Sequence, residues 1–245
     1  MKKVLIKIYV CWFYLWTALI FLLLYPLFLW FLSNKKLYKK AHLLRRFWGR
    51  WLMLFGGLRP KTIYEMPIDT TKTYVVVANH SSYLDIISLS CQVPIHLNFI
   101  GKIALQKIPL FGIFFKTIDI PVDRRNAVHA AKAYMRAEEQ LRLGSMSIAV
   151  FPEGGIKDSI PKLSPFKDGP FKMAVETGTS ILPITIIDNW KRGPGNKIEG
   201  TPGKMRMFVH KPINVEGMNK TDITKLRQQV FELIQEKLRE HGVEG

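Results

Sequence analysis

Thr73–Asp85 reads TYVVVANHSSYLD, and this stretch decides the fold because it runs a strand directly into a helix through a polar turn. Thr73–Ala78 is rich in β-branched residues and is typical of a short strand. Asn79–Asp85 follows without a spacer, and an apolar, helix-like run continues to Cys91. The stretch therefore predicts a strand, a turn that carries polar side chains, and a helix in immediate succession.

The same alternation of strand and helix continues along the chain. Ala127–Leu143 carries apolar residues at helical spacing and stops at Gly144, which fits a C-cap. Ile223–Leu238 closes the chain as an amphipathic helix, with Thr221 or Asp222 as its N-cap. This alternation predicts an α/β layered domain with a largely parallel central sheet flanked by helices. Further strands are expected at residues 117–122, 145–151, 181–187 and 205–210.

Length and charge bound the class of protein. The chain has 245 residues, enough for one medium α/β domain plus an appendage. It carries 36 lysines and arginines against 19 aspartates and glutamates, and the formal charge of +17 attracts phosphates on lipid or nucleic acid. Residues 1–64 hold 12 of the basic residues and no acidic one, so most of the net charge lies in the first quarter.

The cysteine content is low. Cys11 lies in an apolar run and Cys91 follows about eighty residues later. A disulfide framework and a cysteine-rich zinc site both need more cysteines than these. We therefore expect no structural disulfide network and no metal site.

Val4–Leu32 is an apolar segment with one charge, Lys7, and one proline, Pro26. Roughly 20 apolar residues cross a bilayer as a helix, so the segment is long enough to span with tilt. Seven basic residues lie between Lys35 and Arg50, and the positive-inside tendency then puts the body on the cytoplasmic face of a bacterial-type inner membrane. Charge on both flanks and Pro26 also permit a re-entrant segment that dips into one leaflet.

The segment that follows is amphipathic. Two interpretations stay open for it: a helix packed on the soluble core, or a helix lying on an anionic leaflet, which the basic residues and tryptophans favour. Gly56–Pro60 ends the helical pattern. We therefore expect membrane-anchoring helices over residues 1–58 and an α/β domain over residues 59–245. The apolar stripe consists of Leu37, Ala41, Leu44, Trp48, Trp51 and Phe55.

His80 and Asp85 form the first candidate pair for chemistry. In one uninterrupted helix they would lie about 140° apart and could not meet. If His80 precedes the helix, Asp85 in its first turns can reach back to the ring, fix its tautomer and make it a general base. The alternative is a turn histidine that caps a helix, with Asp85 complementing the helix dipole.

Two further groups of residues end predicted strands. Phe151–Gly155 reads FPEGG, and its paired glycines allow backbone N–H groups to approach an anion, although a plain turn explains them equally well. Ile120–Arg125 reads IPVDRR, and forked guanidinium donors suit a phosphate, although a solvated charge run is the usual explanation. Each group alone is ambiguous.

Together these motifs resemble the PlsC-type 1-acylglycerol-3-phosphate acyltransferases. NHSSYLD resembles the NHx4D motif of that family, and residues 99–125 resemble its block from a lysine through an IPxxG segment to an arginine. FPEGG with PFKDGPFKMA (165–174), and then ILPITI (181–186), resemble the third and fourth blocks. The resemblance covers about residues 73–190, in the family's order.

The resemblance implies roles for these residues. His80 would deprotonate the acceptor hydroxyl with Asp85 as its partner. The remaining candidates would bind substrate: Lys102, Arg124 and Arg125 at the acceptor phosphate, and Glu153, Gly154 and Gly155 around the acceptor and the oxyanion. The family usually has threonine or serine and then arginine after FPEG, whereas this chain has Gly155 and Ile156. The missing hydroxyl and guanidinium bear on the acceptor head group, and Lys157 could supply the lost charge at a register shifted by one.

The function implied is transfer of a fatty acyl group from acyl-CoA or acyl-carrier protein to the sn-2 hydroxyl of lysophosphatidic acid, which gives phosphatidic acid. No cofactor is expected, and the partners are membrane lipids, the lysophospholipid acceptor and the acyl donor. One alternative is the same transfer to another acceptor, such as a lyso-aminolipid. Another is a basic membrane-surface module without catalysis. Nucleic acid is not expected as a partner, because the basic residues cluster in an apolar, tryptophan-rich segment.

Overall fold

A computed structural model describes residues 2–123, 125–193, 195, 197 and 199–243. Within these residues, seven strands form one sheet in the order β1-β7-β6-β2-β5-β3-β4. Neighbouring strands are parallel except β6 and β7, which are antiparallel. The largely parallel sheet predicted from the sequence is confirmed. The strands are β1 (Leu58–Tyr64), β2 (Val75–Ala78), β3 (Leu97–Lys102), β4 (Ile120–Val122), β5 (Ser147–Val150), β6 (Ile181–Ile186) and β7 (Gly203–Val209).

Helices cover both faces of the sheet. Val75 and Val77 point to one face, against α5, α6 and α8, while Val76 and Ala78 point to the other, which α3 covers. This alternation follows from the two-residue period of a strand. The helices are α1 (Lys2–Leu32), α2 (Tyr38–Phe55), α3 (Leu84–Gln92), α4 (Ile113–Thr117), α5 (Ala127–Arg142), α6 (Gly169–Thr177), α7 (Asn189–Arg192) and α8 (Ile223–Glu240).

One predicted helix end is confirmed, and one needs a small correction. Gly144 adopts a φ of 61° just after α5, as a residue that ends a helix should. Asp222 lies at the N-cap of α8, but its side chain does not cap the helix. It accepts instead from the N–H of Asn219, whose own side chain caps the preceding turn and accepts from the N–H of Thr221.

Two strands were not among those predicted. β1 contains Pro60 and four basic or hydroxyl-bearing residues, so its sequence is not typical of a strand. It is stable because it is the edge strand of the sheet, beside β7. β3 has four fully buried residues from Leu97 to Ile100 but is too short to stand out from the apolar residues around it.

The first two helices form an antiparallel hairpin. Residues near the start of α1 contact the end of α2: Trp12 donates from its ring nitrogen to the carbonyl of Phe55 at 3.0 Å, and Trp16 stacks on Phe55. In the described part of the chain, α1 is the helix that is long and apolar enough to cross a membrane, over Lys3–Leu32. Its outer face exposes apolar side chains, including Leu23 at 77% and Trp30 at 62%.

The buried face of α2 differs from the predicted stripe. Its buried residues include Ala41, Arg45, Trp48 and Leu52, while Trp51 is 38% exposed. Arg45 lies on the inner face of the helix because its guanidinium pairs with the Oδ2 of Asp119 at 2.9 Å. The inner face of α2 therefore packs on the α/β body, and the outer face keeps an exposed apolar row of Leu43, Phe47, Trp51 and Leu54.

Candidate active site

His80 lies in the turn between β2 and α3, and Asp85 lies in the first turn of α3. The Nδ1 of His80 is 2.9 Å from the Oδ2 of Asp85, so the predicted contact is present. An ionised carboxylate accepts hydrogen bonds and cannot donate them, which assigns the proton to Nδ1. The lone pair of the ring is then on Nε2, the nitrogen that a general base needs.

The turn is built around the carboxylate of Asp85. The backbone N–H groups of Ser81 and Ser82 donate to its Oδ2 at 2.8 and 2.9 Å. Asp85 is completely buried, so these donors replace the water that a carboxylate would otherwise bind. Asn189, at the start of α7, donates from Nδ2 to the other oxygen, Oδ1, at 2.8 Å.

Glu153 holds the backbone of the same turn. Its Oε1 accepts from the N–H of His80 at 2.7 Å, and its Oε2 accepts from the N–H of Ser164 at 3.0 Å. Burial raises the pKa of Glu153, and these two donors offset part of that rise. Phe151, two residues earlier, stacks on the His80 ring at a centroid distance of 3.9 Å. The FPEGG segment thus positions the histidine, a contact that spacing along the chain does not reveal.

Gly154 and Gly155 form an open turn beside this centre. Their φ values of 81° and 137° favour glycine over any other residue. Gly154 donates its N–H to the carbonyl of Phe151, but the N–H groups of Gly155 and Ile156 have no acceptor among the described residues. They are therefore available to a ligand.

Lys167 lies over the same turn. A Cβ atom added to Gly154 would come within 3.1 Å of the Lys167 Nζ, and no carboxylate within the described chain forms an ion pair with this ammonium. Lys167 was not among the predicted site residues, although it belongs to the PFKDGPFKMA segment that carried the resemblance. The side chain of Ile156 packs against Gly195.

The other predicted binding residues lie at the ends of two more strands: Lys102 is the last residue of β3, and Arg125 follows β4 by three residues. Strands are about 4.8 Å apart and β3 is two strands away from β2, so the end of β3 lies roughly 10 Å from the end of β2. Lys102 is exposed, and the side chain of Arg125 is 91% exposed and pairs with Asp123. Arg124 lies outside the described residues.

The region that holds this site matches known proteins. A family model described as Acyltransferase matches residues 61–187, about half of the chain. The chain belongs to the acyltransferase family. This match includes the His80 turn and the FPEGG segment and makes the protein an acyltransferase.

Named relatives agree. A 1-acyl-sn-glycerol-3-phosphate acyltransferase of Haemophilus influenzae is 28% identical over 198 residues, which cover 80% of each chain. A chloroplast 1-acyl-sn-glycerol-3-phosphate acyltransferase of Arabidopsis thaliana is 29% identical over 72% of this chain and 49% of its own. The resemblance to PlsC-type enzymes drawn from the motifs is therefore confirmed.

A solved structure shares the fold. The crystal structure of the 1-acyl-sn-glycerophosphate acyltransferase PlsC from Thermotoga maritima matches with a TM-score of 0.84 and 24% identity. The match covers 98% of this acyltransferase and 97% of that chain, so it includes both N-terminal helices. The apolar helix α1 and the bacterial relatives together associate this acyltransferase with a membrane.

Proposed function

We propose that this acyltransferase moves a fatty acyl group from an acyl thioester to the sn-2 hydroxyl of lysophosphatidic acid and releases phosphatidic acid. The observation that carries the proposal is the His80 ring, which Asp85 holds at Nδ1 while Nε2 keeps its lone pair. The relatives named 1-acyl-sn-glycerol-3-phosphate acyltransferases support this acceptor.

The chemistry follows from the turn. The Nε2 of His80 takes the proton of the acceptor hydroxyl while that oxygen attacks the thioester carbonyl. The free N–H groups of Gly155 and Ile156 donate to the tetrahedral oxyanion. The carbon–sulfur bond then breaks, and His80 returns its proton to the departing thiolate. A thiolate leaves readily, so the step needs no cofactor.

The acceptor phosphate needs cations near the same turn. Lys167 lies over Gly154 on the loop after β5, which is the strand next to β2. Lys102 lies at the end of β3, two strands from β2, and its exposed side chain is about 6 Å long. We assign phosphate binding to Lys167 and Lys102, and we keep Arg124 and Arg125 as the further phosphate-binding candidates that the motif resemblance implies.

We also propose that the α1–α2 hairpin holds the enzyme on the cytoplasmic face of a bacterial-type inner membrane. The exposed apolar side chains of both helices support insertion, and the basic residues after α1 support this orientation. Salt screens charges but not apolar burial, so high salt should extract little protein and detergent should extract most of it. Complete release by salt alone would contradict this anchoring.

The test of the function is a thiol-release assay on the purified full-length chain in lipid vesicles. Acyl-CoA and acyl-carrier protein are compared as donors, each with lysophosphatidic acid, lysophosphatidylethanolamine or monoacylglycerol as acceptor, and His80→Ala is the blank. We expect phosphatidic acid to form and monoacylglycerol to react poorly, because it lacks the phosphate. If the wild-type enzyme ignores lysophosphatidic acid but acylates a lysolipid without a phosphate monoester, the acceptor assignment is wrong.

A further inference from the structure

The side chain of Asn189 lies directly behind Asp85. Asn189 follows β6, the strand that borders β2 on the side opposite β5, and it is 1% exposed. Its Nδ2 donates one hydrogen to the Oδ1 of Asp85 at 2.8 Å and the other to the Oγ of Ser88 at 2.9 Å. Because an ionised carboxylate only accepts, the NH2 group must be the end that faces Asp85.

The two oxygens of Asp85 are held differently. Oδ2 accepts from His80 and from the N–H groups of Ser81 and Ser82. Oδ1 accepts from Asn189. A carboxylate held at one oxygen can still rotate about its Cβ–Cγ bond, whereas a second donor at the other oxygen fixes its plane. The plane of the carboxylate in turn sets the direction of the hydrogen bond to His80.

A second buried amide shows what a purely structural asparagine does. Asn79 donates from Nδ2 to the carbonyl of Ile186 and accepts from the N–H of the same residue. Both bonds join the turn after β2 to β6, and neither touches the pair of His80 and Asp85. Asn189 instead bonds the reacting pair itself.

We propose that Asn189 is a positioning residue for acyl transfer, which holds the Asp85 carboxylate in the orientation that aligns His80. The inference rests on the proposed base role of His80 but not on the identity of the acceptor. Glu153 is an ionisable group that also lies beside the pair, since its Oε1 accepts from the N–H of His80. The Oδ2 of Asp188, the residue before Asn189, accepts from the Nε of Arg206 at 2.6 Å. Asp188 therefore does not compete for the Asn189 amide.

Three variants test this role. Asn189→Ala removes the donor, Asn189→Asp keeps the shape but adds a charge, and Ser88→Ala is the matched control because it removes the other partner of the same amide. A hydrogen bond to a charged group predicts a fall in kcat of about 10- to 100-fold for Asn189→Ala, with both KM values within about twofold. Ser88→Ala should keep kcat within about threefold.

The pH profile separates positioning from packing. Without the amide, Asp85 attracts a proton more strongly and stabilises the imidazolium of His80, so the acidic limb of kcat/KM should move to higher pH in Asn189→Ala. In Asn189→Asp, a protonated side chain can still donate to Asp85, so activity relative to wild type should fall as pH rises. A loss of activity that is equal at every pH in both variants would overturn the proposal.

A measurement without turnover keeps the test independent of the acceptor and of activity. Nitrogen-15 NMR of histidine side chains in detergent micelles, with the His80 signal assigned from His80→Ala, follows the titration of that ring. We expect its midpoint to move upward in Asn189→Ala and to stay within about 0.3 pH units of wild type in Ser88→Ala. An unmoved midpoint in Asn189→Ala overturns the role of Asn189, whereas a wild type that acylates no lysolipid overturns only the proposed function.

Discussion

Asp85 and Asp119 are both buried aspartates that join a helix to the sheet, yet they are satisfied in opposite ways. Asp119 accepts from the guanidinium of Arg45 at 2.9 and 3.1 Å and from the N–H of Phe99 at 3.0 Å. Asp85 accepts from two backbone N–H groups, the amide of Asn189 and the His80 ring. One carboxylate has a permanent cation, and the other has neutral donors and a base that can be protonated.

This difference separates a structural centre from a reactive one. The guanidinium of Arg45 cannot lose its proton in a protein, so Asp119 has a permanently charged partner, and the pair holds α2 on the body. The imidazole of His80 can accept a proton, and a buried anion beside it stabilises the charge that then forms. A buried carboxylate next to an arginine thus indicates a structural role. A buried carboxylate next to a histidine with a free ring nitrogen indicates a role in proton transfer.

The largest expected effect is at the reactive centre. His80→Ala removes the proposed base, and positioned bases contribute about 10²- to 10⁴-fold to rate, so acyl transfer should fall by at least the lower figure. Asp85→Asn should lose less. Stability should change little, as measured by urea unfolding in micelles. Acyl transfer within about tenfold of wild type would contradict the base role.

The structural centre should show the reverse pattern. Arg45→Met leaves Asp119 buried and unpaired, which costs about 3–5 kcal/mol in the free energy of unfolding. The double variant Arg45→Met with Asp119→Leu should recover most of that loss, because it removes the unpaired charge. Activity per folded molecule should stay close to wild type in both. A single variant as stable as wild type would mean that Arg45 and Asp119 do not hold α2.

Acid should weaken the structural centre through His42. Burial lowers the pKa of His42 well below its usual value, and Arg45 lowers it further. The unfolded chain then binds a proton below about pH 6.5 that the folded chain does not, so stability is full above that pH and falls by up to about 1.4 kcal/mol per pH unit below it. His42→Gln, which keeps an acceptor for Arg45, should reduce this slope in unfolding measured from pH 7 to pH 5.

Part of the acid sensitivity should remain in that variant. Burial lowers the pKa of His210 to about 4, which gives a second group with the same sign. If His42→Gln leaves the dependence of stability on pH unchanged, His42 does not cause the acid sensitivity, and His210 remains as its main cause.

The smallest effect concerns the solvent side of the reactive centre. Lys167→Ala should raise the KM for lysophosphatidic acid by about five- to tenfold and leave the KM for the acyl donor within about twofold, because the ammonium lies over the Gly154 turn. Lys157→Ala is the matched control, since both lysines are exposed. A larger effect from Lys157 would reverse the assignment and restore the residue suggested by the sequence.

The sequence predicted the reactive centre better than the structural one. His80 and Asp85 are five residues apart, so local turn geometry brings them together and their spacing alone reveals the pair. Arg45 and Asp119 are separated by 74 residues, and Asn189 lies 104 residues after Asp85. Contacts at that range depend on strand order, which β1 and β3 help to set and which local patterns did not contain.

The positions of the exposed lysines could not be predicted for another reason. Lys102 and Lys167 both lie beyond or at the carboxyl ends of strands, and the order of the motifs does not indicate which of them lies over the glycine turn. The strand order decides this, because the loop after β5 borders the His80 turn and the end of β3 is one strand farther away.

The connection between the helical hairpin and the sheet is short. Only Gly56 and Gly57 separate the end of α2 from the start of β1. Tyr9 donates to the carbonyl of Gly56 at 2.8 Å, and the Phe13 ring lies too close to Gly56 to admit a side chain there. These contacts hold the connection in place, so the hairpin and the sheet are coupled at this point. If the hairpin lies in the membrane as proposed, its depth there also sets the distance of the His80 turn from the bilayer surface.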